Sequence, residues 1–351
     1  MTKFPVSLPR SRIAENALIL SEKLDSSEDI AEVRLFFWRG VGQFHSYQSG
    51  AAQLRKSFLT SMSFGNAKLA FYCAGQGTQF STISAEKDLA SLLKEIDYYL
   101  HLLETYKNQM AQMILLCYRE TVSALIDKGE TTSIQARLSY ADVCGPGGAL
   151  QEVFYFHQVF RNYWQGYSER CQHYVEKYGE LAQPSLLETY IIKFYQGKFH
   201  SLYFVSPHPL ETHSHTPFTA NVGLHLLDVI RKSKRYSRMP EADKIISAMR
   251  LAAFYADSNF TNKLELLVAE KYGILNKAEA LTSYNAAIES ARKNKFIHEQ
   301  GLACEKAGFH CKSMNDNEKA SAYFTQAREC YEKWGSSMKV EFVQRELHKL
   351  Q

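Results

Sequence analysis

Three histidines in one short stretch offer the most chemistry in this chain. His208, His213 and His215 lie in the run Pro-His-Pro-Leu-Glu-Thr-His-Ser-His-Thr-Pro. A His-x-His pair with a third His and Glu211 nearby is a donor set that zinc accepts. Structural zinc sites hold their ligands on firm elements, however, and no cysteine is close, so a polar loop between helices is the preferred reading. Gly145-Pro146-Gly147-Gly148 invites a phosphate-loop reading but lacks the lysine, since that loop runs Gly, four residues, then Gly-Lys-Ser/Thr. The other echo, Gly308 to Ser313, lacks the second glycine and falls inside a helical pattern. Arg231 to Arg238 places five cations in eight residues. Such a run can grip a phosphate backbone, yet near a helix C-terminus it also complements the dipole, and nucleic-acid binding is not expected. Cys304 and Cys311 are seven apart on one helical face, with no basic partner fixed beside them, and read as small packing residues. Gly-x-Ser-x-Gly, His-Glu-x-x-His and paired-cysteine motifs do not occur. No catalytic, cofactor-binding or metal-ligating residue is therefore assigned.

The elements that would carry any of these groups are helices. Ala280, Tyr284 and Ala287 recur 40 residues later as Ala320, Phe324 and Ala327. A small residue, an aromatic four on and a small residue three further share one helical face. Helices so marked nest at the small residues while the ring fills the neighbour's groove. Asn276 and Asp316 are the expected caps of the two copies. These six residues are the expected repeat-packing positions of an all-α chain, an α-solenoid of tetratricopeptide-like hairpins.

Upstream, helices are expected at Arg12–Leu24, Glu28–Tyr47, Ala51–Met62, Ala67–Phe80, Glu86–Tyr106 and Met110–Ile126. In the fifth, Leu89, Leu92, Leu93, Ile96, Leu100 and Leu103 form one apolar stripe. After a loop over 129–148 come aromatic-rich helices at Val153–Trp164 and Ser185–Val205, with Cys171, Val175 and Tyr178 echoing the later spacing. A second loop spans Ser206–Pro217. Helices then follow at Phe218–Ser233, Ile245–Ala256, Lys263–Tyr272, Asn276–Lys293, Ile297–Met314, Asp316–Lys333 and Met338–Leu350. Three stretches of one continuous solenoid result: 1–128, 149–205 and 218–351.

Composition suits this reading. Of 351 residues 45% are hydrophobic, enough for a core, and 21 Tyr with 21 Phe suit grooves plugged by rings. Eight prolines leave room for long helices. With 41 basic and 37 acidic residues the charge balance demands neither nucleic acid nor membrane as partner. Seven dispersed cysteines suggest thiols in a reducing compartment. No apolar run reaches signal-peptide or membrane-span length. A cytoplasmic location is expected.

From Asn262 onward the chain resembles the tetratricopeptide-type tail of very large signalling proteins, in which a serine/threonine kinase and an AAA-type ATPase precede the helical region and sensor, histidine-kinase or cyclase modules follow. The residues that carry the resemblance are Glu279-Ala280, Tyr284 to Ile288, Phe296 to Glu299, Ala320, Tyr323-Phe324, Ala327 and Cys330 to Gly335. Gly65 to Ala70 and the helix from Glu86 are similar to that family's upstream helices. The kinase, phosphate-loop and histidine-kinase signatures are absent. The resemblance thus implies the repeat region alone, free-standing or as a fragment. Its expected role is a non-catalytic protein-interaction or signal-coupling module whose partners are proteins, among them kinase, ATPase or sensor modules. The alternative is an enzyme with a site in the middle third, or a metal-binding loop at 208–215.

Overall fold

The computed structural model describes residues 9–23, 29–40, 42–127, 149–167, 169–171, 173–174 and 216–350. Among them every regular element is helical and no strand occurs. The first half holds α1 (Pro9–Lys23), α2 (Asp29–Gly40), α3 (Tyr47–Ser63), α4 (Ala67–Ser84), α5 (Leu89–Tyr106), α6 (Gln109–Ile126) and α7 (Ala149–Trp164). The second holds α8 (Thr216–Ser233), α9 (Met239–Tyr255), α10 (Asp257–Ile274), α11 (Ala280–Lys293), α12 (Ile297–Ser313), α13 (Asn317–Trp334) and α14 (Ser337–His348).

Local sequence explains where these helices start and stop. Asn66, Asp88, Asn108 and Asp316 are N-caps, each accepting from the amide three residues on at 2.9–3.1 Å. At their C-termini α3, α7, α10, α11, α12 and α13 share one turn. A residue at or just after the cap takes a positive φ, at Gly65, Gly166, Asn276, Lys295, Asn315 and Gly335. The next amide then reaches back to the carbonyl five residues earlier, as from Asn66 to Ser61 at 2.9 Å and from Asp316 to Cys311 at 3.0 Å.

Helices adjacent in sequence pack on each other, α3 on α4, α5 on α6 and α10 through α14 in succession. This is an all-α helical-repeat solenoid, and its buried side chains form one cluster from Leu35 to Val343. Helices α10, α12 and α14 begin at Asp257, Ile297 and Ser337, steps of 40 residues. All three starts lie against the first half. Asn259 at the head of α10 donates to the His45 carbonyl at 2.7 Å and faces the Tyr47 amide. The Asn294 carbonyl before α12 accepts from Gln48 at 3.1 Å. Ser336, which caps α14, donates to the Leu125 carbonyl at the end of α6.

Two expected boundaries are corrected. Asn276 is no N-cap. It holds the left-handed position (φ 51°) that closes α10, and α11 starts at Ala280 behind Glu279, which makes no capping bond. The expected helix from Glu28 to Tyr47 stops at Gly40. A short 3-10 turn follows over Gly42–Phe44, where a Cβ at Gly42 would meet the Trp38 ring at 2.4 Å, and Tyr47 opens α3, fully buried. The loop over 129–148, residues 206–215 of the second loop, the helix from Ser185 and the residues Val175 and Tyr178 fall outside the described residues, while Thr216 and Pro217, expected in that loop, open α8.

Candidate functional site

Helical periodicity brings four faces together around a cavity of about 520 Å³. The last turn of α7 contributes Tyr163 and Trp164. From α8 come His225, Asp228 and Lys232, at i, i+3 and i+7 on one face, together with Arg231. Leu302, Glu305, Lys306 and Phe309 come from α12, again at i, i+3, i+4 and i+7. Met338, Lys339, Phe342 and Arg345 come from α14. The cavity therefore sits on the seam between α7 and α8 on one side and the repeat helices α12 and α14 on the other.

Its charges are arranged in two nodes. In the first, Lys306 Nζ lies 2.9 Å from Asp228 Oδ2 and 4.0 Å from Glu270 Oε2. Arg231 reaches Glu270 at 2.9 Å and Asp228 at 3.3 Å, while the Tyr284 hydroxyl donates to Glu270 from behind. Burial opposes the charge on Lys306, but Asp228 and Glu270 overcome it and hold its pKa above the ordinary value. Burial likewise works against the Asp228 carboxylate, and Lys306 with Arg231 keeps its pKa low. Lys306, Arg231 and Asp228 therefore stay ionised around neutral pH. In the second node, Glu305 accepts from the Tyr331 hydroxyl at 2.8 Å and pairs with Lys339 at 2.6 Å. The Lys339 ammonium also stands 5.0 Å from the centroids of Tyr331 and Phe342, within cation–π range.

Other groups are left over. Lys232 and Arg345 are exposed and form no salt bridge among the described residues, although Lys232 acts on Asp228 at longer range. The Tyr163 hydroxyl and the Trp164 indole N–H are buried and have no hydrogen-bond partner among the described residues. Burial first, and then the nearby carboxylates of Asp228, Glu305 and Glu270, push the Tyr163 pKa well up, so it is a donor at neutral pH. A cavity wall with unsatisfied donors and surplus cations can hold anions.

The six repeat-packing residues are each at most 1% exposed and line no part of the cavity. They shape what lies behind it. Tyr284 joins the first node through Glu270, and Phe324 lies over Gly308, where an added Cβ would meet its ring at 2.7 Å. The basic run 231–238 is divided. Arg231 and Lys232 face the cavity, whereas Arg238 is paired with Glu241 at 2.8 Å. Cys304 and Cys311 are buried and carry no disulfide, and burial raises both thiol pKa values. His208, Glu211, His213, His215 and Gly145 to Gly148 lie outside the described residues. Among the described residues no cluster of three or more His, Cys, Asp or Glu is placed to hold a metal ion. No described helix is long and apolar enough to cross a membrane.

Asp228, Glu270, Glu305, Lys306 and Lys339 escaped the sequence reading because they come from four helices that only the fold brings together. One signal was present. Glu305-Lys306 interrupts a run of small and apolar residues, Leu302-Ala303-Cys304 and Ala307-Gly308, and Glu270 follows Leu266-Leu267-Val268-Ala269. Charges embedded in buried helix faces require partners, so each was a marker of an internal ion pair. No protein-family model and no curated protein matches the chain, and the site is defined by its geometry alone.

Proposed function

We propose that the chain is a non-catalytic helical-repeat module that couples an anionic ligand to protein partners. In this reading it is kin to the tetratricopeptide-type repeat regions of large signalling kinases and AAA-type ATPases, and it works in the cytoplasm. The observation that carries the proposal is the surplus of positive charge in the seam cavity. Arg231, Lys232, Lys306, Lys339 and Arg345 stand against Asp228 and Glu305 on its walls and Glu270 just behind, five cations to three carboxylates. An anion bound there touches helices from both halves of the chain, so its binding energy stabilises their docking. Helical-repeat stacks present extended surfaces to other proteins. Here Tyr98 and Tyr106, two turns apart on α5, are 52% and 46% exposed over the buried Phe58 and Phe71. Exposed tyrosines over a rigid base are the composition of protein-binding surfaces.

The coupling is tested by melting the chain in a panel of phosphate, citrate and aromatic carboxylate salts at constant ionic strength. At least one anion should raise the Tm of the unmodified chain and leave that of the Lys232→Glu, Arg345→Glu chain unmoved. Equal melting in every salt would end the reading.

A further inference from the structure

We infer that the cavity is built for a phosphate monoester carried on an aromatic ring. The inference rests on the proposed reading of the cavity as an anion site and specifies its ligand. Three observations converge on it. The charge excess of two positive units, five cations against three carboxylates, matches the dianion that a phosphate monoester carries above its second pKa of about 6.

The donors have the right form. Arg231 and Arg345 approach from different helices, α8 and α14, and a guanidinium fork matches phosphate oxygens bidentately. Tyr163 and Trp164 line the same cavity, and their buried hydroxyl and indole N–H have no hydrogen-bond partner among the described residues. Such donors are rarely left without acceptors in a finished site. A phosphate head offers three strong acceptor oxygens at one point, where a carboxylate offers two.

The remaining space calls for a ring. About 520 Å³ is a volume typical of sites for organic ligands and far larger than a bare phosphate needs. Phe309 and Phe342, with ring centroids 6.1 Å apart, line it beside Leu302 and Met338, an apolar floor on which an aromatic body packs edge to face or offset.

Isothermal titration calorimetry with four probes tests the inference: phenyl phosphate, inorganic phosphate, phenol and isophthalate, the last an aromatic dianion with two separate carboxylates. Phenyl phosphate should bind at least about tenfold tighter than each of the others, one extra charge-assisted contact being enough for that factor. Arg345→Gln, at an exposed position that spares the core, should weaken it about tenfold with an unchanged Tm. The Trp164 indole proton, assigned in NMR spectra through Trp164→Phe, should shift on binding. Adenosine monophosphate and a phosphotyrosine peptide, run side by side, then separate a free metabolite from a modified partner protein as the source of the group. Isophthalate binding as tightly as phenyl phosphate would overturn the phosphate assignment and keep the anion site. Inorganic phosphate binding as tightly would remove the ring. Silence from all four probes would overturn this inference, and the anion-site reading too if no salt in the melting panel acts.

Discussion

Tyr284 and Phe324 hold the same place in two copies of one repeat, and each is completely buried. Around them the two copies diverge. Tyr284 extends its hydroxyl to Glu270, which is held in turn by Arg231, and stacks at a tilt 5.5 Å from His310. Phe324 meets no polar partner. It lies on the bare backbone of Gly308 and edge-on to Phe309 at 5.1 Å. Repetition therefore fixes which positions are buried and how closely helices approach, and leaves the chemistry of each groove to its neighbours. One groove became a dry plug. The other became the rear wall of an ionic cavity.

Emptying either groove tests the part they share. Phe324→Ala and Tyr284→Ala should each cost about 3–5 kcal/mol in urea unfolding, the usual range for a buried ring replaced by alanine. Hydrogen exchange on Phe324→Ala should show α13 and α14 loosening first, then the end of α6, whose Leu125 carbonyl is held by Ser336. Full protection retained at α6 would show that the first half stands independently of the repeats.

Exchanging the two side chains tests the part they do not share. Tyr284→Phe takes a hydroxyl from a buried carboxylate and should cost about 2 kcal/mol, as for a hydrogen bond to a charged group. Phe324→Tyr adds a hydroxyl to a ring packed on Gly308 and Phe309 and should cost about 1–3 kcal/mol. Two neutral outcomes would mean the grooves are interchangeable.

The glycines beneath the rings sharpen the contrast further. Gly308→Ala drives a Cβ to within 2.8 Å of Phe324 ring atoms and should cost about 1–2 kcal/mol, overpacking partly offset by better helix propensity. Gly273→Ala meets the Tyr284 hydroxyl and the His310 ring edge, both at 3.3 Å, and the Arg231 guanidinium at 3.9 Å, and should change stability by less than about 1 kcal/mol. The smallest effect belongs to the caps. Asp316→Ala should lose about 1 kcal/mol, whereas Glu279→Ser, which supplies the cap that α11 lacks, should gain about 0.5 kcal/mol.

How much of this was legible follows from what repeats encode. The small–aromatic–small spacing located six buried positions because burial on a helix is periodic. The stripe on α5 was legible for the same reason, with Leu89, Leu92, Ile96 and Leu103 all buried. Asn276 misled because asparagine serves equally as an N-cap and as a left-handed C-terminal residue. The cavity was invisible for a different reason. Lys306 and Asp228 are 78 residues apart, and nothing periodic joins a side chain on α8 to one on α12. Of its charged residues only Arg231 and Lys232 stood in a run that drew notice, and they were read as a helix end.

The heads of α10, α12 and α14 contact the first half at Asn259, beside Asn294 and at Ser336. Repeat arrays usually lengthen and shorten by whole-unit duplication and loss, because any unit can follow any other. In this chain the first half works like a key cut for three pins. A fourth unit inserted at Asn294 would push Ser336 a full step beyond Leu125, and a deletion would leave Leu125 without its pin. The number of repeats is thereby fixed by a partner inside the same polypeptide, so change in this protein is channelled into side chains and away from unit number.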